Sequence, residues 1–221
     1  MSGLLRRALW WAEDYAYAAV WQARAFGSRS RAEAYTRGAG VPIVVLPGIY
    51  ETWRFMQPLI ERAHRDGHPV HVIEPLSRNL RPVSEMAESV SGYLAQHDLH
   101  DVVLLAHSKG GLAGKQVMLG PAASRVRGML AVATPFGGSR YARVMLTRSL
   151  RALAPRHPSI AALSAQQQAN GRIVSVYARF DPHIPEGSEL SGAKNVALDT
   201  GGHFRVLAHP RVMAELAVLA G

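Results

Sequence analysis

The sequence predicts an α/β protein, a three-layer α/β/α sandwich built on a mostly parallel sheet of about six strands. Three observations lead there. From Val41 onward, short apolar runs alternate with helix-length segments. Those runs lack the period-two polarity of half-exposed strands, so both faces of the sheet are expected to be covered. One run, at 102–106, passes into a helical pattern through His107-Ser108-Lys109-Gly110-Gly111, a serine held among small residues.

Composition sets the frame. With 221 residues, of which 48% are hydrophobic and 19% charged, the chain suits one well-packed body. It has no cysteine, which removes disulfides and thiolate chemistry. Lys109, Lys115 and Lys194 are its only lysines, so 22 of the 25 basic residues are arginine, and the formal net charge is +9. The arginines are scattered and no nucleic-acid motif accompanies them, so no nucleic-acid partner is expected.

In chain order, residues 1–40 read as an amphipathic helix and a polar linker, the linker at 29–40. Leu5, Ala8, Leu9, Ala12, Tyr15, Ala16, Ala19, Ala23 and Phe26 recur at helical spacing, and Gly27-Ser28 is a stop. Glu13 and Asp14 interrupt the apolar stretch too early for a signal peptide, and no stretch has the length of a membrane span. The expected location is cytoplasmic, at most peripheral to a membrane. Two fates stay open for the helix. It can dock on the body; or, because Trp10, Trp11, Tyr15, Tyr17 and Trp21 mix with Arg6, Arg7 and Arg24, residues 1–27 can contact an anionic membrane.

Six strands are predicted at 41–46, 69–73, 102–106, 128–133, 172–177 and 195–198. Between them lie segments at 53–66, 83–97 and 110–120, a longer one at 139–169, and a turn-rich link at 182–194. A helix at 204–220 closes the chain. In parallel sheets the site lies beyond the carboxyl ends of the strands, and four such ends carry residues of interest.

After the first strand comes Pro47-Gly48-Ile49-Tyr50-Glu51, where Gly48 permits a sharp turn. The N–H of Ile49 can then join that of Lys109 as an oxyanion hole, each donor worth roughly 3 kcal/mol; an ordinary Pro-Gly turn reads equally well. After the third strand, a tight strand-to-helix turn strains the serine and demands small residues two before and two after it. Ala106 and Gly110 meet that demand. The helix that follows aims its positive end at the serine oxygen. A phosphate loop fails here, since Lys109 replaces the first glycine and Gln116 the magnesium-binding Ser/Thr.

After the fifth strand, Asp181 is followed by Pro182 and Pro185, as a rigidly held acid or as the start of a turn. After the sixth, Gly201-Gly202 gives His203 a flexible approach. The order Ser108, Asp181, His203, each on a strand end, points to nucleophile, orienting acid and base. His64, His68 and His71 are close in sequence, but Gly67 and Pro69 break the helix that would align them. No metal and no cofactor are expected.

These residues resemble the α/β-hydrolase family, and within it the small lipases and esterases of compact Bacillus type. The resemblance runs from about residue 41 to the C-terminus. It rests on Pro47-Gly48-Ile49, Ala106-His107-Ser108-Lys109-Gly110-Gly111, Ala133-Thr134-Pro135-Phe136-Gly137-Gly138-Ser139, Asp181 with Ile184-Pro185, and Gly202-His203. It implies Ser108 as nucleophile, His203 as base, Asp181 as orienting acid, and the N–H groups of Ile49 and Lys109 as oxyanion hole. Pro47 departs from the histidine usual before the glycine, and the N-terminal helix is an addition to the compact pattern.

On this reading residues 41–221 form the α/β-hydrolase domain, with a lid-like segment at 137–169. There Tyr141, Val144, Met145, Leu146, Leu150 and Leu153 supply a small apolar flap or simply pack on the sheet. Tyr50, His107, Phe136, His183 and Ile184 are the expected substrate contacts. The expected reaction is hydrolysis of a small ester or lipid through an acyl-enzyme. A thioesterase or acyltransferase on the same triad, and a non-catalytic lipid-binding relative at the membrane, are the alternatives. Nothing in the sequence bears on oligomeric state.

Overall fold

The computed structural model describes residues 3–73 and 79–221. Strands β1 (Ile43–Leu46), β2 (Val70–Val72), β3 (Val102–His107), β4 (Val126–Val132), β5 (Ile173–Phe180) and β6 (Lys194–Gly201) form one sheet. Their order is β2-β1-β3-β4-β5-β6 and every neighbouring pair is parallel. All carboxyl ends therefore emerge along one edge, with the end of β3 near the middle.

Alternate residues of the central strands feed two apolar cores. Val44, Leu46, Leu104, Ala106, Met129 and Ala131 face α3 (Val83–Gln96), α4 (Lys109–Leu119) and α6 (Pro158–Ala165), which contribute Met86, Val90, Leu112, Val117 and Ile160. Ile43, Val45, Val103, Leu105, Leu130 and Val132 face α2 (Gln57–Arg65) and α7 (Pro210–Ala220), which contribute Ile60, Val212 and Leu216. Each large aliphatic side chain buried this way stabilises the fold by about 1.5–3 kcal/mol. Two covered faces also explain why β1 and β3 read as unbroken apolar runs. Half the residues of edge strand β6 are exposed, and after Leu198 its register on β5 shifts past the polar Asp199 and Thr200 to resume at Gly201, beyond the point where hydrophobicity alone ends the strand.

Helix α1 spans Gly3–Gly27 and is docked against β6 and the 3-10 turns Trp53–Met56 and Arg205–Ala208. Trp10 stacks on Phe180 and Tyr17 meets the edge of Phe55, ring centroids 6.3 Å apart in both pairs. Leu4, Leu5, Leu9, Val20 and Phe26 stay exposed. Two local expectations change. The stretch at 29–40 is more than a polar linker, because the turn Ala32–Tyr35 buries Tyr35 against Trp53 and His64. The closing helix is split, because Pro210 cannot donate inside a helix and instead starts α7, with His209 as its cap. Among the described residues, no helix is long and apolar enough to cross a membrane.

Candidate active site

Strand β3 stops at His107, and Ser108 turns the chain with φ 50° and ψ −121°. That backbone is sparsely populated for a side-chain-bearing residue and costs about 1–3 kcal/mol. Neighbours hold it. The N–H of Ser108 donates to the carbonyl of Val132 at 2.8 Å, and the N–H of Gly111 to the carbonyl of Ser108 at 3.0 Å. Gly110 lies so close to β1 that a Cβ there would strike the carbonyl oxygen of Leu46. The small residue after the serine is thus dictated by helix–strand contact.

Ser108 Oγ lies 3.0 Å from Nε2 of His203, whose Nδ1 lies 2.8 Å from Oδ2 of Asp181. All three side chains are buried. Asp181 follows β5, and its second oxygen, Oδ1, accepts the N–H groups of His183 at 2.7 Å and Ile184 at 3.0 Å. These two amides hold the carboxylate so that Oδ2 is left for the imidazole. With a carboxylate at Nδ1, the ring keeps its proton there and Nε2 can accept from the serine hydroxyl, the tautomer that a general base needs.

The same contacts set the electrostatics of the three groups. Burial works against a charged His203, but Asp181, by charge and hydrogen bond, together with Glu51 and Asp14, outweighs it and raises the pKa above its ordinary 6.5. Burial also works against the Asp181 carboxylate, yet His203 and the His183 amide hold its pKa below the usual value. His183 is pushed down to about 4, chiefly by burial and then by repulsion from His203. At neutral pH its ring carries no charge.

A second buried pair stands beside the first. Glu51 accepts the N–H of Gly48 at 2.7 Å and pairs with Nδ1 of His107 at 2.8 Å, while Nε2 of His107 lies 3.1 Å from the carbonyl oxygen of His203. The loop after β1, the serine turn and the histidine loop are therefore tied together. This corrects the expectation that His107 contacts substrate: the ring is sealed from solvent and both nitrogens are engaged elsewhere. Phe136 is corrected as well, because its ring joins the core under α6, where Ser164 Oγ donates to its carbonyl at 2.8 Å.

A cavity of about 530 Å³ opens onto Ser108 and His203. Tyr50, His183 and Ile184 line it, as do Tyr141, Met145, Leu150 and Leu153 of the segment at 137–169. Val144 and Leu146 are instead exposed. Ile49 lines the cavity, and Lys109 opens α4, where the first amides lack intrahelical acceptors. Neither amide donates to an acceptor among the described residues. The side chain of Lys109 points away to a different role, in which its buried Nζ donates to the carbonyls of Asn79 at 2.9 Å and Arg81 at 2.5 Å, and burial lowers its pKa to about 8.

Sequence reasoning missed the share that α1 takes in this cavity, whose wall includes Trp11, Tyr15, Ala18 and Gln22. The aromatic residues of the helix were the available signal, but their periodicity says nothing about which surface they cover. A second cavity, about 710 Å³ between α3, α4 and α6, reaches none of Ser108, Asp181 and His203. Among the described residues no group of three or more His, Asp or Glu side chains could hold a metal ion.

A six-stranded parallel sheet with flanking helices, its central strand ending in a strained serine turn, is the α/β-hydrolase fold. Solved structures of that fold superpose on most of this chain. An extracellular α/β-hydrolase from a Paenibacillus species, described as sharing structural and functional homology with tobacco salicylic acid binding protein 2, is 20% identical at a TM-score of 0.57, over 82% of this chain and 99% of that one. The mature form of Bacillus licheniformis lipase BlEst2 is 16% identical at a TM-score of 0.61, over 83% and 93%. A bromoperoxidase from Bacillus anthracis is 13% identical at a TM-score of 0.57, over 83% and 92%. At these identities the likeness is one of fold. No family model and no curated protein matches the sequence.

Proposed function

We propose that this chain is a serine hydrolase that cleaves carboxylic esters, in the manner of a lipase or esterase. The observation that carries the reading is the hydrogen-bonded series from Ser108 Oγ to His203 to Asp181, set at an apolar cavity. As Oγ bonds to the ester carbonyl carbon, Nε2 of His203 takes its proton, and the N–H groups of Ile49 and Lys109 receive the developing oxyanion. The carbon–oxygen bond to the alcohol then breaks, and the alcohol leaves with the proton from Nε2. Water gives a proton to the same nitrogen as it attacks the acyl-serine, and that proton returns to Oγ when the acid departs. Asp181 stays ionised and holds the Nδ1 proton in place.

The cavity supports an apolar acyl or alkyl group, since its lining is mainly aromatic and aliphatic and its volume suits a ligand of drug size. His183, whose Nε2 is buried with no partner among the described residues, offers a neutral group to a polar part of the substrate. The lipase and esterases among the solved structures of this fold favour ester chemistry. The test is intact-mass labelling with a fluorophosphonate followed by peptide mapping. A single adduct on Ser108, absent from Ser108→Ala and His203→Ala, is the expected result, and no adduct on the folded chain rejects the reading. Paired ester and thioester substrates of rising chain length then separate esterase from thioesterase.

One observation favours a substrate presented by a lipid surface. Exposed Trp11 and Tyr141 line the cavity, Val144 and Leu146 on either side of the lining residue Met145 in sequence are exposed, and the stretch at 137–169 carries Arg140, Arg143, Arg148, Arg151 and Arg156 with no acidic residue. Co-sedimentation with phosphatidylglycerol vesicles that weakens in Leu146→Asp is expected. Equal sedimentation with neutral vesicles, or none at all, removes this addition and leaves the esterase reading untouched.

A further inference from the structure

Helix α1 carries a carboxylate for which the triad has no use. Asp14 is completely buried, and its partners are backbone amides from the other end of the chain. Oδ2 accepts the N–H of His203 at 2.9 Å, and Oδ1 accepts those of Phe204 at 2.8 Å and Arg205 at 2.9 Å. A buried carboxylate is costly unless it is hydrogen-bonded in this way. The fit is close: Gly202 has φ 124°, and a Cβ there would come within 2.5 Å of the Asp14 carboxylate.

His203 sits on a loop preceded by two glycines, which offer no side chains to anchor it. Its backbone is instead gripped at both ends, the N–H by Asp14 and the carbonyl by His107. We propose that Asp14 is a positioning residue for the base, so that α1, besides walling the cavity, sets the reach of His203 to Ser108. The inference rests on the esterase reading and adds a residue to it. The aim matters because a displacement of 1 Å in a catalytic group can lower turnover by about 100-fold.

The experiment compares the full chain with Asp14→Asn and Glu13→Gln on p-nitrophenyl butyrate, and follows the His203 imidazole by NMR titration without substrate. Glu13 pairs with the Arg205 side chain, so its variant loosens the same helix without touching the His203 amide. In Asp14→Asn, kcat should fall roughly 10- to 100-fold with KM nearly unchanged, read well below a melting temperature that itself drops because the asparagine NH2 faces a backbone N–H, while Glu13→Gln behaves like the unaltered chain.

The groups that act on the His203 charge are Asp181 after β5, Glu51 beyond His107, the His183 ring, and Asp14 from α1. Removing the Asp14 charge takes away support for the imidazolium, so the His203 titration and the acid limb of kcat/KM should both move to lower pH. Unchanged kcat together with an unchanged titration overturns the proposal. Hydrogen exchange in the unaltered chain checks the same grip: slow exchange at His203, Phe204 and Arg205 supports it, and exchange at unprotected rates overturns it. If the unaltered chain neither turns over esters nor takes the fluorophosphonate, the esterase reading fails by itself, and the titration still decides what Asp14 does to His203.

Discussion

The carbonyl oxygen of His203 lies 3.1 Å from Nε2 of His107, the residue immediately before the serine turn. The other nitrogen of that ring faces Glu51 at 2.8 Å, and Glu51 also accepts the N–H of Gly48. One buried pair therefore sets the spacing between the loop after β1, the serine and the histidine. In Glu51→Gln the ring keeps its place, but a neutral amide replaces the carboxylate that both His107 Nδ1 and the Gly48 N–H face. Leaving a buried donor without its acceptor costs about 1–3 kcal/mol, and at about 2–4 °C per kcal/mol for a chain of this length the melting temperature should fall by roughly 2–12 °C. A thermal melt followed by circular dichroism measures it, and a melt within about two degrees of the parent would show the pair to be dispensable.

On the proposed reading, Asp181→Asn should disable His203 as a base while leaving the fold intact. The amides of His183 and Ile184 bond to Oδ1, so they will select the amide oxygen of asparagine for that position. The asparagine NH2 then donates to Nδ1 of His203, which moves the ring proton to Nε2 and aims it at the serine. A ring in that tautomer cannot accept the Ser108 proton, and kcat should drop by about 10⁴-fold with an unaltered melting temperature. Steady-state kinetics on a chromogenic ester reads the loss.

The pH dependence of turnover follows from the same ring. Only neutral His203 can take a proton, and against burial its acidic neighbours raise its pKa above 6.5. On the proposed reading, ester hydrolysis should therefore decline as the pH falls, with the inflection in kcat/KM above 6.5. An inflection below that value would mean that burial prevails over Asp181, Glu51 and Asp14.

His183 makes an opposite contribution to stability. The unfolded chain protonates this residue below about 6.5, whereas the folded chain does so only near 4. Between those values the unfolded state binds more protons, so stability present above about pH 6.5 is lost as the pH falls toward 4, by about 3 kcal/mol at most. His203 has the other sign: its contribution is complete below 6.5 and is lost as the pH rises through its raised value. Urea unfolding of His183→Gln and the parent at about pH 7 and about pH 4.5 isolates the first effect, since the backbone N–H that holds Asp181 is kept. Equal losses in both proteins would contradict it.

The sheet and the serine turn were legible because their causes are local. Strands buried on both faces must be apolar throughout, and a helix packed onto β1 leaves no room for a Cβ at Gly110, so the constraints are written into consecutive residues. Asp181 and His203 could be picked out as residues at strand ends, and the structure brings His203 within hydrogen-bonding reach of both Asp181 and Ser108. The histidine beside the serine read as a substrate contact, because a polar residue next to the serine carries no mark of which side of the turn it occupies. Phe136 misled for a similar reason, since an aromatic residue after Pro135 can turn to the cavity or to the core.

Asp14 shows where such reading ends. In the sequence it is a charge that interrupts an apolar helix, whereas in the fold it holds amides 189 to 191 residues away. The sequence by itself determined the layers, the six strands and the residues offered at their ends, because hydrophobic period and backbone sterics act over a few neighbours. Only the tertiary structure decided which carboxylates grip the His203 backbone and that α1 walls the cavity. Those pairings depend on where the packed body brings distant segments together, and the amide groups that Asp14 binds are the same in every residue and leave no trace in the sequence.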